Sequence, residues 1–204
     1  MKQSFLRRWW GWWRSPSAKW ALGTLLVVGT LVGVAAGASF NAFLGHTNTM
    51  DFCTSCHEMR EFVYAEYKES VHYTSASGVR PDCADCHVPK AFIPKMKRKI
   101  QATFNEVPGH LMGRIDTREK FEAHRLQMAQ NVWASMKASD SRECRNCHRK
   151  EAMALEEQKP RARAQHEDAL KTGETCIDCH KGIAHKMPDL PEDEEPAQED
   201  DFTL

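Results

Sequence analysis

Cys53-Thr54-Ser55-Cys56-His57 carries two cysteines three positions apart, with a histidine directly after the second. The pattern recurs as Cys83-Ala84-Asp85-Cys86-His87, Cys144-Arg145-Asn146-Cys147-His148 and Cys176-Ile177-Asp178-Cys179-His180, and it uses all eight cysteines. This is the attachment pattern of c-type haem. Both thiols form thioethers to one porphyrin, and the histidine then faces the iron as an axial ligand. A zinc ribbon or four disulfides would also use paired cysteines, but neither needs a histidine after each pair. There are ten histidines in 204 residues. The chance at one position is therefore about 5%, and four coincidences come to roughly one in 10^5. No βαβ pattern flanks any pair, which sets thioredoxin-like chemistry aside. The chain is expected to scaffold four covalently bound haems c.

Outward from these motifs, charge is unevenly distributed although the net charge is zero. Lys2, Arg7, Arg8, Arg14 and Lys19 give residues 1–19 five positive charges and no acid. From Pro188 onward there are eight acids, no base and three prolines, the composition of a disordered tail over residues 189–204. Haem propionates would add further negative charge, so no nucleic-acid footprint is expected. Residues 20–44 contain no charged side chain and are long enough for one tilted membrane-spanning helix. Trp9, Trp10, Trp12, Trp13 and Trp20 suit an interfacial belt. The basic N-terminus is expected in the cytoplasm of a bacterial inner membrane, and the haem domain in the periplasm. Ala36-Gly37-Ala38 could serve as a signal cleavage site, but the apolar run continues past it to Leu44, which favours a retained anchor. Gly29, Gly33 and Gly37 form a G-x-x-x-G ridge that would permit homodimerisation or partner packing.

The fold class expected is mainly α: one transmembrane helix, then a multihaem domain over residues 45–188 built of two duplicated di-haem units, 45–115 and 116–188. The repeat is read from spacing. Cys53 to Cys83 is 30 residues and Cys144 to Cys176 is 32, with His72 and His166 shortly before the second motif of each pair. The two histidines are accordingly expected to share a role as distal axial ligands. Residues 58–72 have the apolar spacing of a helix. Asp116-x-x-Glu119 reads as a cap for a long helix that follows. The apoprotein is not expected to fold stably, since the haems would supply much of the core.

Several runs resemble the NapC/NirT family of membrane-anchored tetrahaem quinol dehydrogenases. They are Cys56-His57-Glu58-Met59-Arg60, Ser70-Val71-His72-Tyr73, Cys86-His87-Val88-Pro89, Lys120-Phe121-Glu122-Ala123-His124-Arg125, and residues 176–185 closing on Lys181-Gly182-Ile183-Ala184-His185. The resemblance covers about residues 5–188. It implies oxidation of menaquinol or ubiquinol and delivery of electrons to a periplasmic reductase, nitrate reductase first. A nitrite reductase or another reductase is the alternative acceptor, and a membrane-tethered relay without its own quinol site is the alternative mechanism. A terminal reductase with an open haem is disfavoured, because six histidines lie outside the motifs and can fill distal positions.

The resemblance also implies ligands. Met59 replaces His57 on the first haem, with His57 the alternative. His87 and His185 bind the second haem, and His180 and His72 the fourth. His148 binds the third, with His166 its best second ligand. His46 is expected at the membrane exit and His110 solvated in a Pro-Gly loop, with haem packing or a distal position open to His124. Lys90 stands where several relatives have histidine. Lys99 and Glu106 match a lysine and an acid beside the first haem. Lys99 would hydrogen-bond a quinol oxygen and Glu106 accept a proton. A basic helix facing anionic lipid is the plainer reading of the same segment.

Overall fold

The computed structural model describes residues 5–14, 16 and 19–191, with the side chains of Leu6 and residues 11–14 excepted. Trp12, Trp13 and Lys2 therefore contribute no side-chain geometry, and the acidic stretch from Glu192 lies outside the described residues. Among the described residues there are helices and turns and no strand. The chain divides into two units at His46/Thr47.

The first unit holds α1 (Phe5–Arg14) and α2 (Leu22–His46). Helix α2 has 25 residues and a mean hydropathy of 1.9 over its best window, enough by length and composition to cross a membrane. A side chain at Gly29, Gly33 or Gly37 would meet nothing within 4 Å, so this ridge leaves room for close helix approach.

The second unit is a string of short helices separated by two long ones. In chain order they are α3 (Met50–Cys53), a π-turn (Met59–Val63), α4 (Tyr64–Tyr67), α5 (Cys83–His87), α6 (Phe92–Leu111), α7 (Arg118–Ala138), α8 (Arg142–Arg145), α9 (Pro160–Thr172) and α10 (Cys176–Cys179). Local chemistry explains the ends. Helix α9 starts on Pro160 and stops at Gly173, whose φ of 79° is the left-handed conformation that glycine adopts without strain. Helices α5 and α10 both begin on the first cysteine of a motif behind a capping box, Asp82 with Asp85 and Thr175 with Asp178. The residue before the second cysteine thus folds the motif into one turn and sets both sulfurs on one side.

Three local expectations are corrected here. Helix α7 is capped by Thr117, whose hydroxyl accepts from Lys120 N at 3.3 Å, because Asp116 is engaged by Lys120 Nζ at 2.7 Å. His110 does not lie in a loop: Pro108-Gly109-His110 continues α6 to its last turn. The helix over residues 58–72 ends at Tyr67, and His72 follows in a turn.

The buried apolar side chains of the second unit are Phe62, Tyr67, Phe121 and Ile177. Phe62 and Phe121 pack with ring centres 5.3 Å apart, joining the π-turn to α7. So small a core cannot offset the ordering entropy of the chain, in line with a fold that depends on its prosthetic groups.

Candidate haem-binding site

The four motifs lie against one another in chain order. Helix α3 packs against α5, with Cys83 Sγ 3.3 Å from Met50 Sδ. Helix α5 packs in turn against α8. Ser141, fully buried and left-handed at φ 47°, fixes the last step: its hydroxyl accepts from Ile177 N at 3.1 Å.

The histidine rings fall into four pairs. His57 faces His110 with ring centres 6.2 Å apart, His72 faces His148 at 6.2 Å, His87 faces His185 at 6.2 Å, and His166 faces His180 at 5.9 Å. Each pair contains one motif histidine and one from outside the motifs. An imidazole binds a metal at about 2.0–2.1 Å, and its ring centre lies about 1.1 Å behind the nitrogen, so two rings sharing one iron sit roughly 6.3 Å apart. The residues therefore fit a haem iron between each pair.

The surroundings hold these rings in the metal-binding form. Burial and the neighbouring His185 push His87 down to about 4, and burial also lowers His185, so both stay neutral at physiological pH. His166 Nδ1 is 2.7 Å from Gln158 Oε1, an anchor that leaves Nε2 to face His180. The Tyr67 hydroxyl donates to the carbonyls of Pro81 and His72, tying the His72 turn to the start of the second motif.

The pairing differs from the one the resemblance implied. His72 meets His148 of the third motif rather than His180, and His166 meets His180 rather than His148. The two histidines are not equivalent either: His72 reaches across to the later motif pair, whereas His166 stays within its own. Tyr67 ties the His72 turn to the second motif, and α5 of that motif packs against α8 of the third, a long-range arrangement that spacing does not encode. His110, expected to be solvated in a loop, is 39% exposed and faces His57 from the last turn of α6. Its signal in the sequence was its place four residues after Glu106 and eleven after Lys99, on one face of a helix. His124 is held by the Lys120 carbonyl of its own helix at 2.8 Å.

Lys99 donates to Thr47 Oγ1 at 2.7 Å and to the Thr47 carbonyl at 3.3 Å. Burial holds its ammonium below the ordinary lysine value, and Cys53 lies within electrostatic reach. Glu106 is exposed and paired with Arg98 at 2.7 Å. On another face of α6, Ile93, Ile100, Phe104, Val107 and Leu111 are all at least half exposed.

Residues 15–190 match the model of the NapC/NirT cytochrome c family, N-terminal region. The chain is 54% identical to the cytochrome c-type protein NapC of Escherichia coli over 94% of each chain. It is 53% identical to the denitrification system component NirT of Stutzerimonas stutzeri over 86% of this chain and 87% of that one. It is 43% identical to the cytochrome c-type protein TorC of Escherichia coli over 91% of this chain and 47% of that longer protein. No solved structure matches this chain significantly.

Proposed function

This chain belongs to the NapC/NirT cytochrome c family, and from that premise we propose that it is a membrane-anchored quinol dehydrogenase. It takes electrons from menaquinol or ubiquinol and passes them through four haems c to a periplasmic reductase, nitrate reductase first. As a family member it is a cytochrome c electron-transfer protein with covalently bound haem, carried by an N-terminal apolar helix. The observation that carries the reading is the set of four ring pairs, one per attachment motif, in motifs that touch in sequence order.

When bound, the haems would supply one-electron acceptors. The eight motif cysteines hold them by thioether bonds. His87 with His185, His148 with His72, and His180 with His166 orient the second, third and fourth. For the first, the motif itself offers His57 and Met59.

Oxidation of one quinol to quinone sends two electrons to this chain and releases two protons. Lys99, exchanging its Thr47 partner, would hydrogen-bond a quinol oxygen, and Glu106, two turns along the same helix face and released from Arg98, would take a proton. The exposed apolar face of α6 and the bases Lys95 and Lys97 suit a seat against anionic lipid, where quinol is available. The N-terminus then lies in the cytoplasm, the haem domain lies in the periplasm, and the Gly29-Gly33-Gly37 ridge offers a seam for a second copy.

The test is quinol oxidation by purified Lys99→Ala and Glu106→Ala proteins with haem content measured. Loss of at least ten-fold in either variant at unchanged haem content supports the site. Wild-type rates in both would remove it, and failure of the wild type to oxidise any quinol would leave a relay fed by another protein. The NapC and NirT relatives are almost equally similar, so direct reduction of purified nitrate and nitrite reductases decides the acceptor.

A further inference from the structure

We propose that His110 is the distal axial ligand of the haem carried by Cys53 and Cys56, opposite His57, so that the entry haem is closed by two histidines and Met59 is not its ligand. The inference rests on the haem-attachment reading above and deepens it at the entry site.

Three observations converge. First, the His57 and His110 rings stand 6.2 Å apart, the spacing found for His72 with His148 and for His87 with His185. Second, the pair sits on the attachment site itself: Cys56 Sγ, a Glu58 carboxylate oxygen and a His110 ring nitrogen lie within 4.8 Å of one another. Third, His110 is already prepared as a ligand. Its Nδ1 is 2.5 Å from Glu58 Oε1, on a carboxylate only 2% exposed. A carboxylate on Nδ1 fixes the tautomer with the proton there and leaves the Nε2 lone pair for a metal, the arrangement that orients metal-binding histidines generally. Glu58 Oε2 is 3.7 Å from His57 Nε2, too far for a hydrogen bond, so the carboxylate is committed to His110.

Met59 opens the π-turn Met59–Val63 and lines an apolar pocket with Cys53, Thr54, Tyr67, Cys83 and His185, so it stays near the first motif, but the ring that faces His57 is that of His110. A π-turn inserts one residue into the helical ladder and re-aims the side chains around it. Helix α6 then carries both halves of the entry site on one face: Lys99 by Cys53, and His110 by Cys56.

The consequence is functional. Two imidazoles set a lower potential than a thioether ligand would, and they leave no coordination position for quinol. Quinol must then deliver electrons to the haem edge, from a position set by Lys99.

The experiment uses the full-length protein matured with its haems and purified in detergent, read by near-infrared magnetic circular dichroism and electron paramagnetic resonance. The wild type is expected to show four low-spin haems and no thioether–iron band, and Met59→Leu is expected to leave that spectrum unchanged. His110→Gly is expected to turn one haem in four high-spin with all four still attached, and added imidazole to restore the low-spin signal. A thioether–iron band in the wild type that Met59→Leu abolishes would overturn the proposal. So would an unchanged spectrum in His110→Gly, or a high-spin haem that imidazole does not rescue. If His110→Gly fails to mature, the wild-type and Met59→Leu spectra decide alone. Fewer than four haems in the wild type would instead strike the attachment reading, which separates the two failures.

Discussion

Arg125 of α7 grips Glu66 of α4 at two points, Nη1 to Oε2 at 2.9 Å and Nη2 to Oε1 at 2.5 Å, and Glu66 Oε2 also accepts from Lys186 N at 3.0 Å. Three distant segments meet at one carboxylate, and the residue beside Lys186 is His185. The contact is therefore the device that holds His185 against His87. Glu66→Ala is expected to cost about 3 kcal/mol, near the lower end for a broken buried pair because Glu122 still engages Arg125. It should also loosen His185 and raise the high-spin fraction of one haem. Denaturant unfolding followed by the haem absorbance checks the first, and electron paramagnetic resonance the second.

The same pair sets an acid limit. Burial alone would raise the Glu66 carboxyl, but the hydrogen bonds from Arg125 and Lys186 overcome it and hold it below its ordinary value of 4.5. A carboxyl depressed in the folded state contributes stability that is complete above the unfolded value and is lost as pH falls through the folded one. The stability gap between wild type and Glu66→Gln is therefore expected to be constant at neutral pH and to shrink below about pH 4.5. A gap that widens on acidification would contradict the sign.

His72→Ala and His166→Ala are each expected to produce one high-spin haem, and the two haems should be distinguishable. The His72 and His148 planes cross at 85°, whereas those of His166 and His180 cross at 31°. Near-perpendicular ligand planes give a strongly anisotropic low-spin resonance and near-parallel planes a rhombic one. His72→Ala should remove the former and His166→Ala the latter. Loss of the same signal in both variants would refute the pairing.

Glu58→Gln keeps the shape behind His110 and removes the charge. A weaker acceptor on Nδ1 makes the imidazole a poorer donor to ferric iron, so the potential of one haem should rise. A ten-fold shift in its redox equilibrium corresponds to about 59 mV for a one-electron couple. Spectroelectrochemical titration of the four haems reads it directly, and no shift in any of them would mean that Glu58 has only a structural role.

Ser141→Ala removes the acceptor for Ile177 N inside a fully buried site. An unsatisfied buried amide costs about 1–3 kcal/mol. Because the contact spans the third and fourth motifs, the loss should appear as lowered unfolding stability with altered signals from those two haems, while the His87–His185 haem stays unchanged.

The sequence by itself determined what is written in adjacent residues. Cys-x-x-Cys-His fixes the attachment points because thioether geometry needs both sulfurs within one turn. The anchor was readable because a membrane demands an uninterrupted apolar run. Which distal histidine serves which motif was decided only by tertiary structure. His72 and His148 are brought together by the Tyr67 contacts and the packing of α5 on α8, His185 is held by Glu66 and Arg125, and His110 is turned to His57 by the length of α6 and the buried Glu58. A ligand pair is closed across a haem by chain segments far apart in sequence. No local periodicity records that meeting, because only the packing of the helices brings the two rings to one iron.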